Sequence, residues 1–585
     1  MSMPRLLPVI AASLIMLLPA AAATRTPVTF AHGMVVSSQK IASDVGAEIL
    51  KQGGNAIDAA VAVGYALAVV DPCCGNLGGG GFATLHLADG RDVFVNFRET
   101  APQAAAETMY LDAKGEVIKD ASLVGYRAVA VPGSVMGLDH LLHAYGTLPV
   151  QAVMAPAIKL ADEGFVLDQG DAGILAKATD SFAKEPNVAA IFLKDGKSYG
   201  AGERLVQKDL AATLKAIAAG GPAAFYTGAI AQKIAKASAD HGGILTPADF
   251  AAYKVSEEAP IRCNYRGYDI ISAPPPSSGG TTVCLILNIL EGYPMAEYGW
   301  DSAQSIHVIV EAMRHAFVDR NFQLGDPAFV SNPIAKLLSK DYAAAIRAKI
   351  DPGKASNSKD VQPGTAPHEG TQTTHYSVVD GKGNAVSVTY TINALFGAKV
   401  IAGNTGFFLN DEMDDFTIKP GVANLFGLVQ GKRNAIAPGK RPLSSMSPTI
   451  VTKNGKTYMV LGSPGGSRII SIVAQVILDV VDYGMTIQQA VDAPRIHHQW
   501  LPDNIAAESF ALSPDTRAKL IAMGYQIADQ SEWGAAESIL IGPDASVADA
   551  TQSSGNDAAA KSRPVPGLFY GGHDDRRPSG GVAGF

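Results

Sequence analysis

The chain has 585 residues, 47% of them hydrophobic and only 17% charged, with a formal charge of −8; an average soluble protein carries about 25% charged residues. An apolar chain with so little net charge excludes intrinsic disorder, and its mild acidity excludes the basic footprint of a nucleic-acid binder. Length alone would admit roughly three or four domains at about 150 residues each.

Residues 1–23 read as an export signal, with Arg5, an apolar run over 6–18 and Ala21-Ala22-Ala23 before Thr24. An uncleaved anchor is the alternative, but the run is short for a bilayer span. A strand, a helix over 43–52, the pair Gly53-Gly54 and an apolar helix over 55–70 follow. Asp58 interrupts this last helix, and fewer than about 18 apolar residues run on without a break. It reads as a buried core helix, so no membrane span is expected. The run from Gly78 to Gly81 lacks the Lys-Ser/Thr of a phosphate-binding loop and reads as close backbone packing before strands over 82–87 and 93–97.

Residues 130–350 look mainly helical, with helices over 134–145, 210–219 and 302–321. Pro274-Pro275-Pro276-Ser277-Ser278-Gly279-Gly280 reads as a rigid surface turn. Four cysteines are too few for a disulfide framework. Cys73 and Cys74 are adjacent, and a Cys263–Cys284 bridge would suit an oxidising compartment. No CxxC or HExxH occurs, and neighbouring side chains in His497-His498 diverge, so that pair reads as structural. No metal and no cofactor are implied.

The composition changes over 351–372, which is poor in apolar residues and reads as exposed and open to proteolysis. It ends at a strand over 373–380, a Gly381-Lys382-Gly383 turn and a second strand over 384–391. If Asp380 faces Asn384 across that turn, Thr373 faces Thr391. Cross-strand Thr pairs are ordinary, and alone this one would be structural.

The company it keeps changes that reading. GTQTTHYSVVD, NALFG, DEMDDF, KRPLSSMSP and GSPGGSRI, with GNLGGGGF, FRETAP, PPPSSGG and APRIHHQW, stand in order along nearly the whole chain. Together they resemble the γ-glutamyltranspeptidases (glutathione hydrolases), a family of N-terminal nucleophile hydrolases. The resemblance implies an α+β fold, a four-layer αββα sandwich self-cleaved into two chains. The cut would fall between Gln372 and Thr373, giving a large subunit of 349 residues (24–372) and a small subunit of 213 (373–585) that stay together as a heterodimer.

The chemistry agrees with the resemblance. A Thr hydroxyl is a weak nucleophile that needs an adjacent base. Cleavage would give Thr373 a free α-amine with a reference pKa of about 7.7–8.0, a base on the nucleophile's own residue. By resemblance, Thr391 assists Thr373, and Gly465 and Gly466 supply the oxyanion donors. Those glycines lie between a strand over 457–461 and a helix over 468–481, where backbone N–H groups favour negative charge. Arg98, Ser444 and Ser445 would hold the substrate carboxylate, and Asn393, Glu412 and Asp415 its ammonium. Many bacterial members have Gln where Glu412 stands.

The Gly/Pro-rich segment 420–440 resembles a lid, with Phe426 where a Tyr is common. Lacking that hydroxyl, the lid is expected to gate more loosely and admit water. Residues 550–566 look like an insertion, and Arg576 is expected to keep a structural ion pair. The implied partners are glutathione and related γ-glutamyl compounds, with amino acids or peptides as acceptors. The implied location is the periplasm, although secretion also fits an export signal. A same-fold acylase and a non-catalytic exported binding protein are the competing readings.

Overall fold

The structure is a computed structural model that describes residues 25–361, 373–542 and 564–585. The export-signal reading, Gln372 and most of the 550–566 insertion lie outside the described residues. Fourteen strands make the framework. They are β1 (Val28–Phe30), β2 (Gly33–Ser37), β3 (Gly80–His86), β4 (Asp92–Phe97), β5 (Ser256–Glu258), β6 (Ile261–Tyr265), β7 (Tyr268–Ser272), β8 (Thr374–Asp380), β9 (Ala385–Thr391), β10 (Thr449–Lys453), β11 (Lys456–Leu461), β12 (Ser538–Ile541), β13 (Phe569–Gly572) and β14 (Gly581–Gly584). One antiparallel sheet runs β14-β2-β8-β9-β3-β4-β5 and the other β1-β13-β12-β11-β10-β7-β6.

Side-chain alternation explains why the sheets stack. Met34, Val36, Val379 and Ala385 of the first sheet meet Ile450, Val460, Ile539 and Phe569 of the second. Their neighbours Val35, Val378, Val386 and Leu85 point the other way, into a helical layer. A period of two thus serves two cores at once. That layer holds α1 (Lys40–Lys51), α2 (Ala56–Val70) and α3 (Ser134–Tyr145). The opposite layer holds α4 (Gly279–Leu290), α5 (Ala303–Gln323) and α6 (Ile469–Val481), packed on Val451, Met459 and Leu461. Helix, sheet, sheet, helix is the expected αββα order.

Helix α2 is buried along its whole length. Its one charge is fully engaged, because Asp58 closes a capping box with Asn55 and accepts from the backbone of Thr147 and Leu148. No helix among the described residues is long and apolar enough to cross a membrane. The glycine run packs as expected, since any Cβ on Gly79 would collide with the carbonyl oxygen of Thr391.

Two expectations need correction. The stretch read as mainly helical contains β5, β6 and β7, short strands hidden among helices. Strand β6 alternates buried Ile261 and Tyr265 with exposed residues, but five residues give a weak signal. The Pro274–Gly280 segment is not a surface turn but is buried throughout. Ser277 Oγ donates to Met446 O at 2.6 Å and Ser278 Oγ to Ser444 O at 2.6 Å. The polar residues there are consumed inside the protein.

Cys73 pairs with Cys74, and Cys263 on β6 pairs with Cys284 on α4. The second bridge closes a loop across 21 positions and ties an edge strand to a core helix. Such a loop restrains the unfolded chain by about 3 kcal/mol. Cys263→Ala should therefore lower stability to denaturant by about that amount, and an unchanged unfolding midpoint would show that the bridge does not form.

Candidate active site

Strands β8 and β9 pair with Thr374 opposite Tyr390 and Val379 opposite Ala385, the register expected from the sequence. Thr373 precedes β8 by one residue and so lies beside the end of β9. Its Oγ1 donates to Thr391 Oγ1 at 3.4 Å, and both residues are buried. Thr391 Oγ1 also accepts from the Asn393 N–H at 2.8 Å. Asn393 has φ +70°, a conformation Asn tolerates better than most residues. Its Nδ2 is spent on Asp411 O at 3.0 Å, which leaves Oδ1 as an acceptor.

Thr373, Arg98, Asn393, Glu412, Asp415, Phe426, Ser444, Ser445 and Gly466 line one cavity. Thr391 adjoins it through Thr373, and Gly465 through its neighbour. A larger cleft lined by Arg314, Phe322, Lys349 and Tyr525 holds none of the expected residues; chemistry rather than size selects the smaller cavity. Gly465 and Gly466 have φ of +137° and +56°, in the region that glycine alone enters freely. They lead through a single 3₁₀ turn into α6. A Cβ on Gly466 would strike the ring of Phe426, so the aromatic lies directly over this backbone.

The charges form a compact cluster. The Arg98 guanidinium, fully buried, donates to Glu412 and to Asp415, and Glu99 is 3.5 Å away. Burial opposes the Arg98 charge, but Glu412, Glu99 and Asp415 outweigh it and hold the pKa above its ordinary value. Burial, opposed by Arg98, pushes the Glu99 carboxyl up to about 7. Glu412 is driven well above the usual carboxylate range by burial, with Glu99 and Asp415 adding to the shift against Arg98. Glu412 Oε2 and Glu99 Oε1 have no hydrogen-bond partner among the described residues. Arg98, expected to fork onto a carboxylate, thus grips the acids expected to receive an ammonium.

The 420–440 loop is tied to the same cluster. Asn424 Oδ1 accepts from the Phe426 and Leu428 N–H groups at 3.0 and 3.2 Å. Leu425 N donates to Asp414 Oδ2 at 2.8 Å, and the Asn434 side chain donates to Asp415 O at 2.6 Å. These anchors do not involve a hydroxyl at position 426. Ser444 Oγ accepts from Met446 N at 3.1 Å, and Ser445 Oγ accepts from Arg320 at 3.1 Å.

Sequence reasoning missed Glu99, Ser278, Asn424 and Arg320. For Arg320 a signal existed: it falls on the apolar stripe of Met313 and Phe317 on α5, where a charge is out of place. The structural reading of His497-His498 holds. Buried His497 bonds Ser471 Oγ and Gln499, and His498 bonds Asp503. Arg576 pairs with Glu508 and Asp574, the ion pair expected of it.

Residues 42–562 match the family described as Gamma-glutamyltranspeptidase. The chain is 56% identical over 565 residues to a glutathione hydrolase proenzyme of Pseudomonas sp. (strain A14), covering 96% of each. It is 49% identical over 520 residues to the glutathione hydrolase proenzyme of Escherichia coli (strain K12), covering 88% of this chain and 90% of that one. Among solved structures, a cephalosporin acylase from Bacillus halodurans superimposes with a TM-score of 0.82 at 28% identity, covering 98% of this chain and 99% of that one.

The raised pKa of Glu99 has a consequence for stability. Between its ordinary value of 4.5 and about 7, the folded protein keeps a proton there that the unfolded chain has lost. Folding stability from this group therefore falls as pH rises through that window, by up to about 1.4 kcal/mol per pH unit. Glu99→Gln has no such proton. The variant should gain thermal stability relative to the parent from about pH 4.5 to 7 and hold the gain above it. A stability difference that stays flat across the range would contradict this.

Proposed function

Because the chain belongs to the γ-glutamyltranspeptidase family, we propose that the cavity around Thr373 is its reaction centre and that each side chain there has a separable task. The protein is a self-processing γ-glutamyl hydrolase and transferase that acts on glutathione and related compounds. One observation supports the assignment most. Thr373 and Thr391 meet at the end of a hairpin, on a cavity whose wall also carries the Gly466 backbone and the Arg98 cluster.

Processing uses the nucleophile itself. Thr373 Oγ1 attacks the Gln372 carbonyl, the peptide bond passes to an ester, and water cleaves that ester. Gln372 leaves with a new carboxylate, and Thr373 gains its α-amine. Thr391 keeps the Thr373 hydroxyl in place during both stages. In turnover the amine takes the hydroxyl proton as Oγ1 attacks the γ-carbonyl, then hands it to the departing amine. The Gly465 and Gly466 N–H groups steady the oxyanion. Water, or the amine of an amino acid or peptide, then takes the γ-glutamyl group from the ester.

Recognition is an exchange of ion pairs. The substrate head carries an α-carboxylate and an α-ammonium. The carboxylate takes over Arg98 together with the Ser444 and Ser445 hydroxyls. The ammonium takes over Glu412, Asp415 and Asn393 Oδ1. Charges that now satisfy each other in the protein are re-satisfied by the ligand, so neither sign is left buried alone. An acyl group lacking both charges could not make the exchange, which argues against an acylase acting on uncharged side chains. The export signal and a periplasmic location complete the reading.

Three outcomes check it. The purified protein should run as two bands on a denaturing gel, with Thr373 at the N-terminus of the smaller. Thr373→Ala should remain one band and lose at least about a thousandfold in kcat; a variant that still splits at that bond would overturn the assignment. Phe426→Tyr should shift product from hydrolysis towards transfer by a few-fold, and an unchanged ratio would show that the aromatic alone closes the lid.

A further inference from the structure

One strong cation at the cavity has no task in this scheme. Arg320, near the end of α5 and 1% exposed, lines the cavity with Thr373 and Arg98. Its hydrogen bonds go to neutral oxygens. Nε donates to Ser278 Oγ at 3.1 Å, Nη1 to Gln430 Oε1 at 2.8 Å and Asn321 Oδ1 at 3.2 Å, and Nη2 to Ser445 Oγ at 3.1 Å. Among the described residues no carboxylate pairs with it within 4.0 Å.

Three other buried arginines differ. Arg98 meets three acids, Arg314 pairs with Glu311 and Asp503, and Arg495 pairs with Asp574. A buried charge without a counter-ion is costly. Burial lowers the pKa of Arg320 to about 10, with Asp415 opposing and Arg98 adding to the shift. Such a group suits an anion brought from outside, on the side of the cavity where Ser445 stands.

The local hydrogen bonding gives it a specific action. A serine hydroxyl has one proton to donate. Because Ser445 Oγ accepts from Arg320, that proton is free to point into the cavity. Ser278 Oγ, which also accepts from Arg320, donates to Ser444 O. One guanidinium therefore sets both serines expected to bind the carboxylate.

We propose that Arg320 is the positioning and specificity residue for the substrate's α-carboxylate, aiming the Ser445 hydroxyl at it and supplying the positive charge that the acids around Arg98 take away. The inference rests on the carboxylate reading of Ser444 and Ser445. Without Arg320, an incoming carboxylate would face Arg98 already shared among Glu99, Glu412 and Asp415.

The test compares two anilides on the processed, two-piece protein. One carries the γ-glutamyl group and the other the 4-aminobutyryl group, which is the same acyl chain without its α-carboxylate. The parent should strongly favour the first. Arg320→Gln should raise KM for the γ-glutamyl anilide at least tenfold while kcat changes less than threefold. It should leave turnover of the decarboxylated compound unaltered, and Ser445→Ala added to it should cost little more. Parental discrimination in Arg320→Gln would overturn the inference alone. A parent that does not discriminate would overturn the carboxylate reading with it. If Arg320→Gln does not accumulate as two pieces, Arg320→Lys decides, since a lysine cannot reach Ser278 and Ser445 together. It should lose at least threefold in discrimination. A Lys variant with the parental ratio, or failure of both variants to fold, would assign Arg320 to the core instead.

Discussion

The pairing of β8 with β9 is the constraint on which the rest depends. Side chains alternate along a strand, so a slip of one residue would turn each side chain to the other face. Val378 would leave the helical core for the space between the sheets, and Val379 would make the reverse move. Both cores therefore hold the register, and the register brings Thr373 to Thr391. The flanking strands add to it, because β2 pairs with β8 and β3 with β9 along most of their length. The position of Thr373 is thus a consequence of hydrophobic burial on two faces of one sheet. The hydrogen bond between the threonines only finishes what the packing has arranged.

Electrostatics around that point follows a different logic. The polar side chains within the hairpin pair mostly with neutral groups, as His375 does with Thr389 and Ser377 and Ser387 do with backbone carbonyls, whereas the Arg98 cluster concentrates three carboxylates on one guanidinium. Inside a protein such a group is expensive unless each charge has a partner, and unpartnered oxygens on Glu99 and Glu412 remain. The arrangement fits the proposed binding of a ligand carrying both signs. It also explains why the loop over the site is anchored to Asp414 and Asp415. The segment over the cavity is fastened beside Asp415, one of the acids proposed to bind.

Much of this was legible in the sequence for physical reasons. Long apolar stretches such as α2 and the alternating strands announce themselves by period. The turn at Gly381-Lys382-Gly383 fixes the hairpin register without knowledge of the rest. The site residues came from motif resemblance, because nothing in the spacing of Arg98, Glu412 and Ser445 says that they meet. Short strands were the blind spot: β5 to β7 have too few residues for a period to emerge among helices. The Pro274–Gly280 turn misled because its composition is that of a surface loop. Its serines are polar for the sake of Ser444 and Met446, a demand set by a segment far away in the chain. Arg320 was visible as a charge on an apolar stripe, but a stripe does not say what the charge faces.

The strand order carries a consequence of its own. In the first sheet β8 and β9, which follow the proposed cut, are wedged between β2 and β3, which precede it, and in the second β10 to β13 lie between β1 and β7. The uncut chain can find this arrangement as a unimolecular search. Cut before Thr373, as proposed, the chain would face the same search as an encounter between two chains, each with raw sheet edges open to aggregation. The cut molecule would then be protected by the height of its unfolding barrier rather than by an equilibrium it can revisit. On that reading it would be assembled once, and its working lifetime would be a matter of kinetics.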